Sequence, residues 1–328
     1  MTSERPPDGS RGDGREPRMP KNVQGLLQLC AGMSGTDTQN ENTTFQEMSP
    51  EKKKWLEEAL ENSTVSPVDE MKKAIAIIQD SDHATDDKIE AFETLQEWCE
   101  HIDFAIDFHK IGGFRIFTQC LESEEPEIRW SCLDVIASLV QNNPYCQAAV
   151  LQHDLLPTIL HMLDTDNNST VKVKALYAVS CLIRDCEEGL DGFLSHDGFS
   201  VIMRAMQTDI DKLKIKSAFM LSSICSDNNK CKDIVCDIGM IDQLVGHLSE
   251  EHSSFHEHLL SALLSIVRGH PRSLQQCSRP ELNLLSLLQQ KEQDMKGKDE
   301  FQEEYEYTVE LLKLLKTSQD SSEQDVVR

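Results

Sequence analysis

The sequence predicts an all-α protein whose helices stack as a repeating solenoid. Three observations carry that expectation. Apolar residues recur at helical spacing along most of the 328-residue chain and seldom alternate with the period of two that a half-buried strand requires. One long amphipathic pattern returns four times at a nearly constant step. Hydrophobic residues make up 39% of the chain but aromatics only 5%, so Leu, Ile, Val, Ala and Met must build the core.

The repeat can be read directly. "IRWSCLDVIASL" begins at 128, "VKVKALYAVSCL" at 171, "LKIKSAFMLSSI" at 213 and "FHEHLLSALLSI" at 255, in steps of 43, 42 and 42 residues. A shorter helical pattern precedes each: "FRIFTQCL" from 114, "LPTILHML" from 156, "FSVIMRAM" from 199 and "IDQLVGHL" from 241. Its apolar positions are Phe114, Phe117 and Leu121 in the first copy and Leu156, Ile159 and Leu163 in the second. Turn residues ("KIGG", "QHDL", "SHDG", "DIGM") come before these and follow a further short helix such as "PYCQAAVL". A three-helix unit of about 42 residues points to an armadillo/HEAT-type right-handed superhelical solenoid with about four repeats and helical caps. One such unit cannot bury its own apolar faces, so neighbours must bury each other's.

In chain order, residues 1–47 are expected to be a flexible segment, with 1–20 too polar to fold. Residues 48–85 are expected to form an N-terminal helical cap. There "MSPEKKKWLEEAL" offers Ser49 as N-cap and Pro50 at the first helical position. The repeats are placed at 86–275, where "DDKIEAFETLQEWCEHID" (86 to 103) resembles a further long helix in looser phase. A C-terminal helical cap follows at 276–317. Its "DEFQEEYEYTVELLKLLKT" (299 to 317) is acidic at the start and basic near the end, as the helix dipole favours. Residues 318–328 are expected to be a disordered tail.

Charge and thiols narrow the function. With 57 acidic against 32 basic residues the net charge is -25, which repels a phosphate backbone and argues against nucleic-acid binding. Eleven cysteines include no CxxC pair, and many occupy apolar helical positions, such as Cys132, Cys181 and Cys225. They read as reduced cytosolic or nuclear thiols rather than a disulfide framework. The first twenty residues lack the apolar core of a signal peptide, no apolar run is long enough to span a membrane, and "DVVR" offers no lipidation cysteine. A soluble intracellular protein is the expectation.

The segments "VKVKALYAVSCLIRD", "DGFSVIMRAMQ", "KLKIKSAFML" and "FHEHLLSALLSIV" resemble the heat-shock-protein-70-binding protein family. So do "NVQGLLQL" (22 to 29) and "MSPEKKKWLEEAL", so the resemblance runs from residue 20 to about 315. It implies a non-enzymatic co-chaperone without cofactor. Such a protein is a nucleotide-exchange factor whose concave face embraces one lobe of the chaperone's nucleotide-binding domain and promotes ADP release. It also implies a monomer when free, with that chaperone as partner and no nucleic acid or membrane. A helper role in substrate release for the N-terminal region is implied as well, although "GSRGDG" (9 to 14) is shorter than the family pattern. The alternative is an armadillo scaffold gripping another folded protein or a helix.

The register indicates where a partner would sit. Peptide-binding armadillo proteins place a Trp, and four residues later an Asn, on each long helix. Here the first position holds Asp134, Tyr177, Phe219 and Ser261, and the second Ser138, Cys181, Ser223 and Ser265. The ladder that grips an extended peptide is therefore missing, which suits a folded partner and aromatic anchors at Tyr177 and Phe219. One turn earlier, Lys174 and Lys216, with Lys212 beside them, make a basic strip for acidic groups on a partner. Trp130 and Asp134 on the first long helix and His256, Glu257 and His258 on the fourth complete the expected contacts. His252 and His256 are spaced as in a zinc site, but no matched carboxylate is evident nearby, and no metal is assigned. "RGD" at 11 to 13 is set aside as a chance tripeptide. No nucleophile elbow, phosphate-binding loop or paired-carboxylate motif stands out, and no catalytic residue is assigned.

Overall fold

The structure, a computed structural model, describes residues 66–326, with side chains through residue 317. The chain divides into two compact units, Met1–Ser66 and Pro67–Arg328, and the description below concerns the second. The flexible segment expected at 1–47 and the helix expected at 48–60 lie outside the described residues.

Helices α1 (Pro67–Gln79) and α2 (Thr85–Cys99) pack on each other at the start. Four three-helix units follow, each short, middle and long. The first is α3 (Ile102–Lys110), α4 (Phe117–Leu121, entered through the 3-10 turn Gly113–Ile116) and α5 (Pro126–Val140). The second is α6 (Pro144–Gln152), α7 (Leu155–Thr165) and α8 (Ser169–Ile183). The third is α9 (Glu187–Ser195), α10 (Gly198–Met206) and α11 (Asp211–Cys225), and the fourth α12 (Asn229–Asp237), α13 (Met240–Leu248) and α14 (Phe255–Val267). The segment expected as a C-terminal cap continues the pattern as a fifth unit: α15 (Pro271–Cys277), α16 (Leu284–Met295) and α17 (Gln302–Val326). Successive long helices, α2, α5, α8, α11, α14 and α17, pack side by side. There is no strand among the described residues. Helix α17 runs on to Val326, into the segment 318–328 expected to be a disordered tail, and neither Gly nor Pro stands in that stretch to stop it.

Within each unit the same backbone problems recur, solved by different residues. The turn from short to middle helix needs a left-handed residue, which Gly112, Asp154, Asp197 and Gly239 supply with φ of 82°, 54°, 53° and 75°. Glycine and aspartate tolerate this region where most side chains do not. The next residue is Gly113 or Gly198 in the first and third units. A Cβ there would lie 2.4 Å from the ring of Phe108 or 2.3 Å from that of Phe193. In the second and fourth units Leu155 and Met240 fill this position, and five residues earlier Val150 and Val235 replace the phenylalanines; all four are buried. Large beside small and small beside large conserve the volume a close-packed core demands.

The short helices of the second to fifth units open with side-chain caps. Asn143, Cys186, Asn228 and His270, spaced 43, 42 and 42 residues apart, each accept the backbone N–H three residues on. Each such cap contributes on the order of 1 kcal/mol where the residue is a good acceptor. Two buried polar side chains close the far ends of long helices. Gln147 Nε2 donates to the carbonyls of Cys181, Leu182 and Arg184 at 3.1, 3.1 and 2.9 Å. At the equivalent place in the fourth unit, Lys232 Nζ donates to Arg268 O at 2.7 Å. Both satisfy carbonyls that a helix end leaves without partners, and the lysine charge also suits the negative end of the dipole.

Candidate partner-binding face

The long helices bury one side against the middle and short helices and leave a narrow stripe uncovered. On α5, α8 and α11 that stripe carries the residues the register singled out. Phe219 is 60% exposed and Tyr177 38%, so two large rings stand out from adjacent helices. Exposed rings lose apolar surface to water with nothing in return until something covers them.

The lysines one turn earlier lean back toward the preceding helix. Lys174 Nζ lies 2.7 and 2.5 Å from the two carboxylate oxygens of Asp134 and 5.9 Å from the centre of the Trp130 ring. Lys216 Nζ sits 5.7 Å from the centre of the Tyr177 ring. The basic strip expected from the sequence therefore divides. Lys174 is half-buried and its charge is balanced by Asp134, which is itself only 8% exposed, so neither is a free charge for a partner. Lys216 stands over a ring face, an arrangement that holds both groups in place. Lys212 is exposed. Burial, followed by the neighbouring Cys181 thiol, raises the Tyr177 phenol above its ordinary value, so it stays a donor; its hydroxyl is 3.5 Å from Gln141 Oε1.

At the fourth unit the expectation needs correction. His256 is 2% exposed and its Nδ1 lies 2.8 Å from Lys291 Nζ on α16, so the packing of the C-terminal unit removes it from any outer face. Glu257 and His258 beside it remain half-buried. The missing asparagine ladder has a local use: Ser222 on α11 shares hydrogen bonds with Ser265 (2.8 Å) and Ser261 (3.4 Å) on α14. Where a peptide gripper presents amides outward, this chain ties two of its own helices together.

A feature that sequence reasoning missed is a shallow cleft of about 190 Å³ between the C-terminal halves of α8 and α11. Ser180, Ile183 and Arg184 line one wall and Met220, Ser223 and Ile224 the other. Ser180 and Ser223 stand one turn beyond Tyr177 and Phe219, so the cleft continues the aromatic stripe. Ser223 already stood in the register, but the cleft exists only where residues of α8 and α11 face each other across the stack. Gln147 and Lys232 were also missed, although Gln147 precedes an apolar run in "PYCQAAVL" and the two share a register. Of the ten described cysteines, nine are buried and Cys186 is half-buried, as the reading of core thiols expects. Burial pushes the Cys146 thiol up to about 12.

Stacked three-helix units, with an uncovered stripe of rings and pinned charges and a shallow cleft on the long helices, describe an armadillo-type solenoid. Residues 104–212 match the SIL1/FES1/HPBP1 C-terminal domain, and residues 23–108 match the family described as nucleotide exchange factor Fes1. Hsp70-binding protein 1 of Rattus norvegicus is 38% identical over 312 residues, spanning 90% of this chain and 86% of the relative. The Homo sapiens protein of that name is 38% identical over 311 residues, 90% and 85% of the two chains. The Hsp70 nucleotide exchange factor fes1 of Schizosaccharomyces pombe is 28% identical over 57% of this chain and 67% of its own. The chain belongs to the SIL1/FES1/HPBP1 family, alongside Hsp70-binding protein 1. A designed armadillo repeat protein superposes with a TM-score of 0.59 over 75% of this chain and 99% of its own at 14% identity, a likeness of fold alone.

Proposed function

We propose that this chain is a co-chaperone that binds the ATPase domain of Hsp70 along its long-helix face and acts as a nucleotide-exchange factor, promoting ADP release. The observation that carries the reading is the exposed pair Tyr177 and Phe219 on adjacent long helices, in a chain that aligns over nine-tenths of its length with Hsp70-binding protein 1. Central aromatic anchors with a polar surround are what a folded partner's interface needs. The contribution of this chain is geometric: it seats one lobe of the ATPase domain, and no bond is made or broken on it. Lys212 and Lys216 supply the cationic side of the contact in an otherwise acidic molecule, which favours encounter with acidic groups on the chaperone. It acts as a monomer in the cytosol, where its buried thiols stay reduced.

The test is stopped-flow release of a fluorescent ADP from the isolated Hsp70 ATPase domain. The native chain is expected to accelerate release, and the double change Tyr177→Ala with Lys216→Glu to weaken the acceleration at least tenfold. Acceleration that survives the double change keeps the function and moves the contact elsewhere. Neither acceleration nor binding would leave an armadillo scaffold for a different folded partner.

A further inference from the structure

Away from the exposed Tyr177 and Phe219 rings, the start of α14, the start of α17 and the middle of α16 converge on a polar cluster. His252, in the turn before α14, and His256, in its first turn, meet edge to face with ring centroids 5.2 Å apart. Glu304, in the first turn of α17, joins them: its Oε2 is 2.8 Å from His252 Nε2. One ligand atom from each of the three residues lies within 4.8 Å of those of the other two. Glu304 is 3% exposed and His256 2%, whereas the His252 side chain is 44% exposed. The cluster is thus closed on the protein side and open to solvent at one edge.

A carboxylate buried this deeply needs a cation beside it. Lys291 now provides one, with Nζ 2.8 Å from His256 Nδ1 and 3.4 Å from Glu304 Oε1. An ammonium held by two nitrogen or oxygen acceptors of a His, His, Glu set occupies the place where a metal ion would find its ligands.

We propose that His252, His256 and Glu304 form a binding site for a divalent transition metal of the zinc type, the ion displacing the Lys291 ammonium as the cluster's cation. Two imidazoles and one carboxylate are a ligand set that zinc takes, with water in the fourth position. Imidazole nitrogens favour zinc-like ions over calcium or magnesium, which prefer oxygen ligands. Bonds of about 2.0–2.1 Å to a tetrahedral ion place ligand atoms roughly 3.3 Å apart, so closure draws the set inward by an ångström or so. His252 can make that movement because it lies in a turn with its ring half in solvent. Lys291 can leave because its four-carbon stem is flexible. A bound ion would clamp the last long helix, α17, to the fourth unit.

The experiment titrates the full chain with zinc against a chromophoric chelator, and with cobalt to read the ligand type from its absorption. Expected are one equivalent of zinc bound, a rise in thermal midpoint on binding, affinity at least tenfold weaker in His252→Ala, and affinity at least tenfold tighter in Lys291→Met. The cobalt spectrum should show d–d bands without a thiolate-to-cobalt charge-transfer band, which separates this site from the cysteines. His252→Ala alters a partly exposed turn residue, and its circular dichroism should match the native chain, so its loss of binding is not a loss of fold. The proposal is overturned by no saturable binding, by binding that His252→Ala leaves unchanged, or by a thiolate band. Binding only in Lys291→Met would also overturn it, with the ammonium as the permanent cation.

Discussion

At the scale of single residues, the stripe separates side chains that serve the fold from those free to serve a partner. Phe219 has 60% of its surface in water, so Phe219→Ala should change unfolding free energy by no more than about 0.5 kcal/mol. In titrations with the Hsp70 ATPase domain the same change should weaken binding at least tenfold; equal affinity for both proteins would remove Phe219 from the interface. Lys174 is the opposite case. Lys174→Ala leaves the buried Asp134 carboxylate without its counter-charge and should cost on the order of 2 kcal/mol in urea unfolding. Recovery on adding Asp134→Ala would identify the stranded charge as the cause. The positions of Tyr177 and Phe219 were legible in the sequence because a ring at a fixed register on successive helices needs only a count. The pairing of Lys174 with Asp134 was not, because the partner stands 40 residues away on another helix. Glu304 escaped notice for the same reason: 52 residues separate it from His252, and only the docking of α17 joins them.

At the scale of elements, the covarying pair at the turn into each middle helix gives a clean test. Gly198→Leu should drive a side chain into the Phe193 ring and cost about 1–3 kcal/mol, as overpacked cores do. Phe193→Val opens a cavity when made alone. Together the two recreate the Val and Leu arrangement of the second unit, and the double variant should be more stable than the sum of the single changes predicts. Thermal unfolding of all four proteins closes the cycle, and strict additivity would show that the two positions do not share a volume. The helices themselves were legible from periodicity, and the left-handed turns fell within the four quoted turn segments. The fifth unit was harder to see. Its middle helix starts 44 residues after the previous one and its long helix 47, because "SRPELN" and "KGKDEF" insert 3-10 turns and lengthen the step.

At the scale of the whole described unit, every boundary between three-helix units carries at least one ion pair. Arg129 is bidentate on Asp166 at 2.8 and 3.0 Å, Arg204 on Asp164 at 2.7 Å, and Arg268 on Glu310 at 2.6 and 2.9 Å. Lys230 meets Asp191 at 3.0 Å, and Arg272 reaches both Asp233 and Asp237. Arg129 and Asp166 are largely buried, whereas the other pairs are partly exposed and screened by solvent, so they serve more to set how the units meet than to add stability. The hydrogen bonds from Arg204 hold the Asp164 carboxyl below its usual range. A depressed folded value means the contribution is full above the unfolded carboxylate value, about 3.9, and is lost as pH falls through the folded one. Asp164→Asn should therefore be less stable than the native chain at pH 7 and converge with it in acid below about pH 4. A gap that persists undiminished there would assign the difference to packing. The period announced the stacked architecture from the sequence, but not these clasps, since charged residues abound and only the stacking selects which of them meet.

The units are not five copies of one thing. Phe with Gly marks the first and third, and Val with a large residue marks the second and fourth. An Asn cap followed four residues on by a long polar side chain that reaches the end of the long helix occurs in the second and fourth units, as Asn143 with Gln147 and Asn228 with Lys232. Two solutions to one turn thus alternate through the first four units, and the fifth, where buried Leu284 follows left-handed Asn283, sets a large residue next to the large Met240 kind of the fourth. A graft cut between a short and a middle helix and moved by a single place would put a glycine opposite a valine or a leucine opposite a phenylalanine, so middle helices of this solenoid are interchangeable only together with the short helix they already fit.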